Sequence, residues 1–490
     1  MIRVATGRTG QGASQAGRAG QDGYALLMVL TVLLIASLLV TVMATLWVRG
    51  AVRAVQYGDG TAAFYAAEAG LSRMLQVLAE EGGPAGSVQE LSGTVDPEGG
   101  PASYQVRVEP AGLGRWTLVS TGRQGRAERT VRLSIVAPLA LPMYAGERLD
   151  LQTVAKGELN FSAPPAYGQA FSTSGSGDVT PAPVKDSIPL PDIPFGAFAS
   201  LAGAPPAQAP SLDGSGGTLA GGWYDAGRGN CPDTGRHLRV PAGATAGIAG
   251  DVDCPNAVLT LAEDATLVVT GSLRVATLVL EEGARLVTGD TADIQHTVAL
   301  EPVSSPPARP VLVVVGGALA AKAVEPAGDG AREPDPAAVP PLAILALDRS
   351  DCGAAPCGPD GQNQISVADL AVPRFLIYAE PLPGGTSSAD LRLWGGQGSK
   401  ADENGQGKGQ GKGGQGGDGN KGGTDGQGKD GGRGGDEVVQ VAGAVVAAGN
   451  VDLWVHRNVD WTMDFDLLRQ FTGVLPPSAL YVVETWRESP

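Results

Sequence analysis

A long apolar stretch runs from Tyr24 to Val48 without a charged side chain, and any fold must accommodate it. A helix rises about 1.5 Å per residue, so this stretch can cross the roughly 30 Å hydrocarbon core of a bilayer with some tilt. Between its aromatic ends the only polar groups are hydroxyls, which can bond to backbone carbonyls of the preceding turn and so permit insertion. These hydroxyls belong to Thr31, Ser37, Thr41 and Thr45. The sequence predicts a single membrane-spanning helix.

The residues around this stretch indicate an anchor rather than a secretory signal. A cleaved signal has an apolar core of about 7–15 residues and an Ala-x-Ala-like exit, whereas this core is longer and is followed by no such site. Three arginines precede it and two follow it, a small excess that favours a cytoplasmic N-terminus. They are Arg3, Arg8, Arg18, Arg49 and Arg53. We therefore expect the rest of the chain to be exported.

Two motifs flank the apolar helix. A polar leader ends at Gly23, and AFYAAEAGLSRML follows the helix at Ala63–Leu75. This pattern resembles the N-terminus of type IV pilin-like proteins and is most similar to PilX-type minor pilins and the GspK-type pseudopilin of type II secretion. The resemblance covers residues 18–140. It implies that a prepilin peptidase cuts after Gly23 and methylates the new N-terminus, Tyr24.

One position departs from the pilin pattern. Most pilins carry Glu at the fifth mature position, which is Met28 in this chain. In the family this carboxylate is thought to pair with the terminal ammonium of a neighbouring subunit, in apolar surroundings where an unpaired charge is costly. PilX- and GspK-like members often lack it too. The resemblance therefore implies a minor subunit placed where no subunit lies ahead, at a filament tip, and the alternative is a simple uncleaved anchor.

Hydrophobic periodicity divides the chain after the membrane. Apolar residues spaced three or four positions apart predict that the helix continues over Arg49–Glu81. The glycines in Gly58–Gly60 predict a kink or short break within it. The Gly-Gly-Pro at 82–84 predicts its end. SYQVRVEP, WTLVSTG and RTVRLSIV, within 102–137, predict three antiparallel strands with tight turns. A small sheet laid on the second half of a long helix is the arrangement that the pilin resemblance implies.

An imperfect repeat lies in the middle of the chain. VPAGAT at 240–245, LAEDAT at 261–266 and LEEGAR at 280–285 align, with spacings of 21 and 19 residues and short Val- and Leu-rich runs between them. Repeats of about 20 residues built from short strands and Gly or Asp turns are typical of β-solenoids, in which each coil buries its face on its neighbours. This style of coil is similar to that of exported proteins with PilX-like N-termini and of bactofilin-like polymers.

These patterns predict a mainly β fold with an N-terminal α-helix. The predicted segments are a leader peptide (1–23), a transmembrane and pilin-like helix (24–82), a small antiparallel β-sheet (83–140), a β-solenoid (141–394), a disordered Gly-, Lys- and Asp-rich insert (395–437) and C-terminal strands that cap the solenoid (438–490). The insert contains no large apolar side chain, so burial cannot offset the entropy of ordering it. Its spacing is close to that of calcium-binding nonapeptides, with Asp418 and Asp436 at the ion position, but only Val438 fills an apolar core position, which favours a solvated loop.

Four cysteines form two pairs that are local in sequence, Cys231 with Cys254 and Cys352 with Cys357. An even number of cysteines in an exported chain predicts disulfides. The first pair would close a loop worth about 3 kcal/mol in the chain-entropy model. Their spacing does not match structural zinc sites, and neither a metal nor a cofactor is predicted.

Candidate catalytic residues are few. The histidines lie in none of the common catalytic motifs; they are His237, His296 and His456. Carboxylate clusters can be catalytic on β-helices, and four acids lie close together in the sequence, but turn chemistry explains them better because Asp favours turns. They are Asp251, Asp253, Glu263 and Asp264. We therefore predict that the chain is not an enzyme.

Charge and motifs together favour a role in assembly. The formal net charge of -16 argues against a protein whose whole surface binds the phosphate groups of nucleic acids. A local basic patch could still bind them. We expect a minor, tip-type subunit of a type IV pilus or a related secretion or competence filament, in the inner (cytoplasmic) membrane before assembly and at the cell surface afterwards. Expected partners are other pilin or pseudopilin subunits, the prepilin peptidase, the bilayer, and DNA or a surface ligand. The alternatives are an anchored β-solenoid envelope scaffold outside any filament and a polysaccharide-active β-helix protein.

Overall fold

The computed structural model describes residues 19–80, 89–96, 101–153, 158–175, 177–212, 217–226, 237–328, 335–347, 362–380, 386–393, 438–455, 457–463, 465–471, 475 and 481–489. Three α-helices and three β-sheets form within these ranges. The helices are α1 Ala19–Glu80, α2 Phe195–Ala199 and α3 Phe465–Phe471. The predicted disordered insert at 395–437 lies outside the described residues, so its structure stays a prediction.

The strands are numbered along the chain. They are β1 Glu90–Val95, β2 Ala102–Gly112, β3 Arg115–Gln124, β4 Ala127–Val136, β5 Met143–Ala145, β6 Arg148–Thr153, β7 Leu159–Phe161, β8 Ala166–Tyr167, β9 Ala170–Gly175, β10 Val179–Thr180, β11 Val184–Lys185, β12 Gly222–Asp225, β13 His237–Val240, β14 Thr245–Ala249, β15 Val252–Leu261, β16 Thr266–Val269, β17 Leu273–Leu280, β18 Arg285–Thr288, β19 Ala292–Leu300, β20 Val311–Val315, β21 Leu319–Pro326, β22 Leu342–Ala346, β23 Gln362–Leu370, β24 Arg374–Ala379, β25 Thr386–Leu393, β26 Val438–Ala447, β27 Asn450–Val455, β28 Asn458–Thr462 and β29 Val482–Ser489.

The helix α1 is uninterrupted along its whole length. The break predicted at Gly58–Gly60 does not occur. A methyl group at Gly60 would lie 3.6 Å from Arg129 Nη2, so this glycine already faces the small sheet. Each glycine lowers helix propensity by roughly 1 kcal/mol, and the packing against the sheet that starts here outweighs that cost.

Small side chains let α1 approach the small sheet closely. Ala63 and Ala67 are fully buried, and a methyl group at Gly122 on β3 would lie only 1.9 Å from the Ala63 carbonyl oxygen. A methyl group at Gly70 would lie 2.7 Å from the ring of Tyr104. The small residues of the AFYAAEAGL motif therefore form the contact face of the helix, whereas Tyr65 is 59% exposed. Larger side chains complete this core: Leu71, Met74 and Leu78 from the helix, and Val106, Leu118, Val131, Leu133 and Ile135 from the sheet.

The small sheet has five antiparallel strands in the order β1-β2-β3-β4-β29. The three strands predicted within 102–137 correspond to β2, β3 and β4. The prediction that the C-terminal strands cap the solenoid is wrong for β29, because Val482 pairs with Val136 and Ser489 with Thr130 on β4. Without β29, the backbone of β4 would present an open edge beside a buried core, and pairing satisfies those groups.

The remaining strands form a solenoid with two parallel sheets, which confirms the predicted fold class. The fourteen-stranded sheet contains mostly short strands, and the ten-stranded sheet contains the longer ones. We call them the short-strand sheet and the long-strand sheet. Strand β20 is buried along its whole length, whereas β17 mostly alternates between buried and more exposed positions. The short-strand sheet is therefore covered on both faces, and the long-strand sheet presents one face to solvent.

The sequence repeat corresponds to the register of the coils. Val240 pairs with Leu261 and Leu261 with Leu280, as in the alignment of the three motifs. Each motif makes a corner turn, and its fourth residue has a left-handed backbone, with φ of 66° at Gly243, 56° at Asp264 and 72° at Gly283. Glycine adopts this conformation without strain and Asp tolerates it better than most residues, so the turn residues set the corners of the coils.

The coils do not stack in chain order. Strands β5 and β6 pair with β26 and β27, so the first coil in the sequence lies against the last. Residues 438–455 are therefore an interior coil and not a cap, and β9, β10 and β11 form the end of the solenoid on that side. Glycines at the corner permit this contact, because a methyl group at Gly146 would lie 2.1 Å from the Ala448 carbonyl oxygen.

Residues 186–212, which include the short helix α2, run along the outer face of the short-strand sheet, and we call this segment the strap. Ile188, Ile193, Phe195 and Phe198 of the strap are buried against that face, which includes Val287, Leu345 and Tyr378. The Tyr378 hydroxyl donates to the Pro191 carbonyl over 2.5 Å, and the buried Glu380 accepts from the Ile193 amide over 3.2 Å. The strap therefore covers the face that would otherwise be apolar and exposed.

Candidate functional site

The apolar part of α1 is uncovered in the part of the chain that the structure describes. Between Leu27 and Val48 the large apolar side chains are 46–80% exposed, and an 18-residue stretch of the helix has a mean hydropathy of 2.7. It is the one helix in the described residues that is long and apolar enough to cross a membrane. Thr31 Oγ1 donates to the Leu27 carbonyl over 2.7 Å, as the sequence predicted for its hydroxyls. A helix that is apolar on all sides requires lipid or other helices around it.

The predicted processing site lies within α1. The helix begins at Ala19, so Gly23 and Tyr24 are both helical in the full-length chain. Met28, at the fifth position after Gly23, is 63% exposed and presents a thioether where a carboxylate would be expected in most pilins. Cleavage at Gly23 stays a prediction.

Apolar residues continue on α1 between the apolar stretch and the sheet. Val52, Val55 and Tyr57 are 49%, 63% and 81% exposed, which is a second region that the described residues leave uncovered. Glu68, further along, is only partly exposed. A surface of this kind is typical of a contact with another protein or with a membrane, and it is continuous with the membrane-spanning part.

A polar junction fixes the small sheet to the solenoid. The Arg115 guanidinium on β3 contacts Glu484 on β29, with Nε–Oε1 of 3.1 Å, and binds Asp186 at the start of the strap. Its Nη2 also donates to the Ser187 carbonyl over 2.8 Å. The hydrogen bond with Asp186 and then that with Glu484 raise the pKa of Arg115 against the opposing effect of burial. One side chain therefore ties together β3, β29 and the strap.

Three of the four acids considered as catalytic candidates lie at the corners of the coils, and the fourth, Asp253, lies on β15, 3.9 Å from Arg274. Arg309 lies 2.5 Å from both Glu263 and Asp264 and 3.2 Å from Glu282. Asp251 accepts from the Ser272 amide over 2.8 Å in the next coil. Within the described residues no group of three or more His, Cys, Asp or Glu side chains could hold a metal ion. These contacts agree with the interpretation of the three corner acids as turn residues.

The predicted disulfide and histidine positions are only partly covered by the structure. Cys254 lies buried on β15 and is disulfide-bonded. Cys231, Cys352, Cys357 and His456 lie outside the described residues, so the pairing of the cysteines stays a prediction. His237 and His296 are exposed on the long-strand sheet, and the structure brings neither to an acidic cluster.

The structure reveals an aspartate row that sequence reasoning missed. Asp390 lies opposite Asp452, and Asp452 lies opposite Asp150, on three adjacent strands of the long-strand sheet. Arg148 lies 2.5 Å from Asp150, and Arg392 lies 5.2 Å from the ring centre of Trp454 in the neighbouring row. The signal was present as apolar-Asp-Leu in all three strands, at 149–151, 389–391 and 451–453, but only the coil order places them together.

Comparison with known proteins gives little. No protein-family model matches the chain, and no curated protein matches it. Among solved structures, the chain is similar to the competence-associated pilin ComZ from Thermus thermophilus, with 12% identity over 88% of this chain and 97% of that one. The TM-score is 0.25, which does not establish a shared fold.

Proposed function

We propose that the chain is a non-catalytic, minor pilin-like subunit of a type IV pilus or a related secretion or competence filament. The observation that carries the proposal is the single apolar helix that continues, without interruption, into a helix packed on an antiparallel sheet. The exposed side chains of the helix require cover by lipid before assembly and by neighbouring helices afterwards. The inner membrane and then a filament would supply these two environments.

The position of Met28 supports a place at the filament tip. A subunit without a carboxylate there cannot neutralise the ammonium group of a subunit ahead of it, and an unpaired charge in apolar surroundings is costly. The solenoid would then be displayed at the tip, for adhesion, for priming of assembly or for DNA uptake. Arg115, through its contacts with Asp186 and Glu484, would hold the solenoid in a fixed orientation to the helix.

The test is mass spectrometry of the mature N-terminus, with and without the prepilin peptidase of the host. We expect a peptide that begins at Tyr24, is N-methylated, and is lost without the peptidase. Gly23→Val should abolish cleavage, whereas Gly20→Val, in the same leader, should not. An intact leader in every sample would contradict the proposal and leave an anchored β-solenoid scaffold as the function.

A further inference from the structure

One row of outward side chains runs along the long-strand sheet and carries charges at both of its ends. At one end Arg274 lies between Asp253 and Asp293, at 3.9 and 3.3 Å. At the other end three aspartates are neighbours, in the order Asp390, Asp452 and Asp150. Like charges that lie directly opposite each other destabilise a sheet. The second end therefore lacks the alternation of charge that stabilises the first.

Arg148 compensates only one of the three aspartates. It lies 2.5 Å from Asp150, whose residue is 8% exposed. The ion pairs formed within the described residues include neither Asp390 nor Asp452. Both of these residues are half-buried, so water solvates them only in part. A ligand that donates hydrogen bonds to their carboxylates would therefore stabilise both.

The next row of the same strands contains an indole ring. Arg392, Trp454 and Gln152 lie opposite one another on β25, β27 and β6. The Arg392 guanidinium lies 5.2 Å from the ring centre of Trp454, a distance at which a cation and an aromatic ring attract each other. Among the described residues of the ten strands, the other Phe, Tyr or Trp is Phe171 on β9, which packs against the core. Trp454 is thus the one such ring on the outward face.

These two rows form one surface, which we call the Trp454 patch. Its members are Asp390, Asp452, Asp150, Arg392, Trp454 and Gln152. Carboxylates accept hydrogen bonds, guanidinium groups donate them, and amides do both. Indole adds an apolar surface beside these polar groups. A sugar ring presents the complementary groups, because its hydroxyls donate and accept hydrogen bonds and its C–H groups form an apolar face.

The charge of the patch disfavours anionic ligands. Its three aspartates outnumber Arg392 and the adjacent Arg148, and Asp369 on β23 and Glu147 before β6 lie close to it in the fold. Within the described residues no acidic group could hold a metal ion that would reverse this charge. A neutral polymer with many hydroxyls meets no such repulsion.

The position of the patch disfavours an extended peptide. Peptides that bind to sheets add a strand at a free edge, whereas β27 and β6 are each paired on both sides. On β9, Ser172 lies opposite Asp150 and Ser174 opposite Gln152, so hydroxyls continue both rows to the last strand of the sheet. From β25 to β9 the rows extend about 14 Å, at roughly 4.8 Å between strands. Such a flat polar strip fits a chain laid across the strands.

We infer that the Trp454 patch binds a neutral polysaccharide. The inference rests on the proposed function, because it supplies the ligand class for a solenoid displayed at the cell surface for adhesion. The polysaccharide would lie across β25, β27, β6 and β9, with its C–H groups on Trp454 and its hydroxyls bonded to the aspartates. Hydrogen bonds from the hydroxyls would then offset the repulsion within the aspartate row.

The experiment is a glycan array followed by titration, with the full-length protein in a polyoxyethylene detergent that contains no sugar. The array presents neutral glucans, mannans and galactans, with alginate and heparin as acidic polymers. We expect binding to at least one neutral polysaccharide and weaker binding to both acidic ones. The dissociation constant for the neutral polysaccharide is then measured for the variants.

Trp454→Ala should raise the dissociation constant at least about 10-fold, because it removes the apolar surface. Gln152→Ala should raise it about 3- to 10-fold, as expected for one or two lost hydrogen bonds. The matched control is Gln295→Ala, which removes an outward glutamine from β19 of the same sheet and should leave the constant unchanged. Gln152→Ala keeps the test decisive if Trp454→Ala does not fold.

The inference would be overturned by an absence of binding to every neutral polysaccharide, by preferential binding to alginate or heparin, or by equal losses in Gln152→Ala and Gln295→Ala. Shortening of the polysaccharide by the wild type but not by Asp452→Asn would also overturn it, since the patch would then be an active site. Binding by the purified protein does not depend on cleavage before Tyr24. The array and the mature N-terminus therefore test the inference and the proposed function separately.

Discussion

Among single residues, Asp452 lowers the stability of the fold when its carboxyl group is ionised. Burial raises its pKa above the ordinary 3.8, and the neighbouring charge of Asp150 raises it further. A carboxyl with a higher pKa in the folded chain binds more protons when folded than when unfolded. The free energy of unfolding therefore falls as the pH rises from 3.8 through the raised value, and the loss is complete above it.

We predict that Asp452→Asn raises the free energy of unfolding at pH 7, by less than about 1 kcal/mol because the group is half exposed, and changes it little at pH 3. Urea unfolding at the two pH values measures this. Asp293→Asn is the control, because Asp293 lies 3.3 Å from Arg274 and its loss should lower stability slightly at pH 7. Lower stability of Asp452→Asn at pH 7 would contradict the assigned cause.

At the level of elements, the contact between Arg115 and Glu484 should stabilise β29 on the sheet. Their side chains are only 23% and 24% exposed, whereas those of Arg123 and Glu128 are 62% and 54% exposed. In a double-mutant cycle with Arg115→Met and Glu484→Gln we expect a coupling of about 1–2 kcal/mol, and for Arg123 with Glu128 about 0.2–1 kcal/mol. Equal couplings in the two cycles would show that burial at the junction is unimportant.

The elements also show how far sequence patterns reach. The coils around Val240, Leu261 and Leu280 were predictable because each corner turn is set by residues within the repeat. The pairing of β29 with β4 was not predictable. Val136 and Val482 lie opposite each other although the whole solenoid separates them in the sequence, and no local pattern specifies such a partner. The juxtaposition of Arg132 on β4 with Arg487 on β29 was not predictable for the same reason, because it exists only once that pairing is made.

For the whole molecule, the solenoid is an insertion between the fourth and fifth strands of the small sheet. We predict that deletion of residues 481–490 opens the edge at β4 and speeds hydrogen exchange in β4 and in α1 near Phe64, while exchange in β16 to β22 stays unchanged. Hydrogen exchange followed by mass spectrometry measures both regions. Deletion of Pro490 alone is the control, and faster exchange throughout the solenoid would contradict an independent fold for the coils.

The insertion also determines how the molecule would carry a pulling force. β4 ends at Val136 and β29 begins at Val482, and these two residues are paired, so both connections to the solenoid leave the sheet at the same end of neighbouring strands. Tension between the solenoid and the helix would therefore pull both strands in the same direction. The hydrogen bonds between them would not be sheared, and the load would pass to β3 and to the core beneath α1.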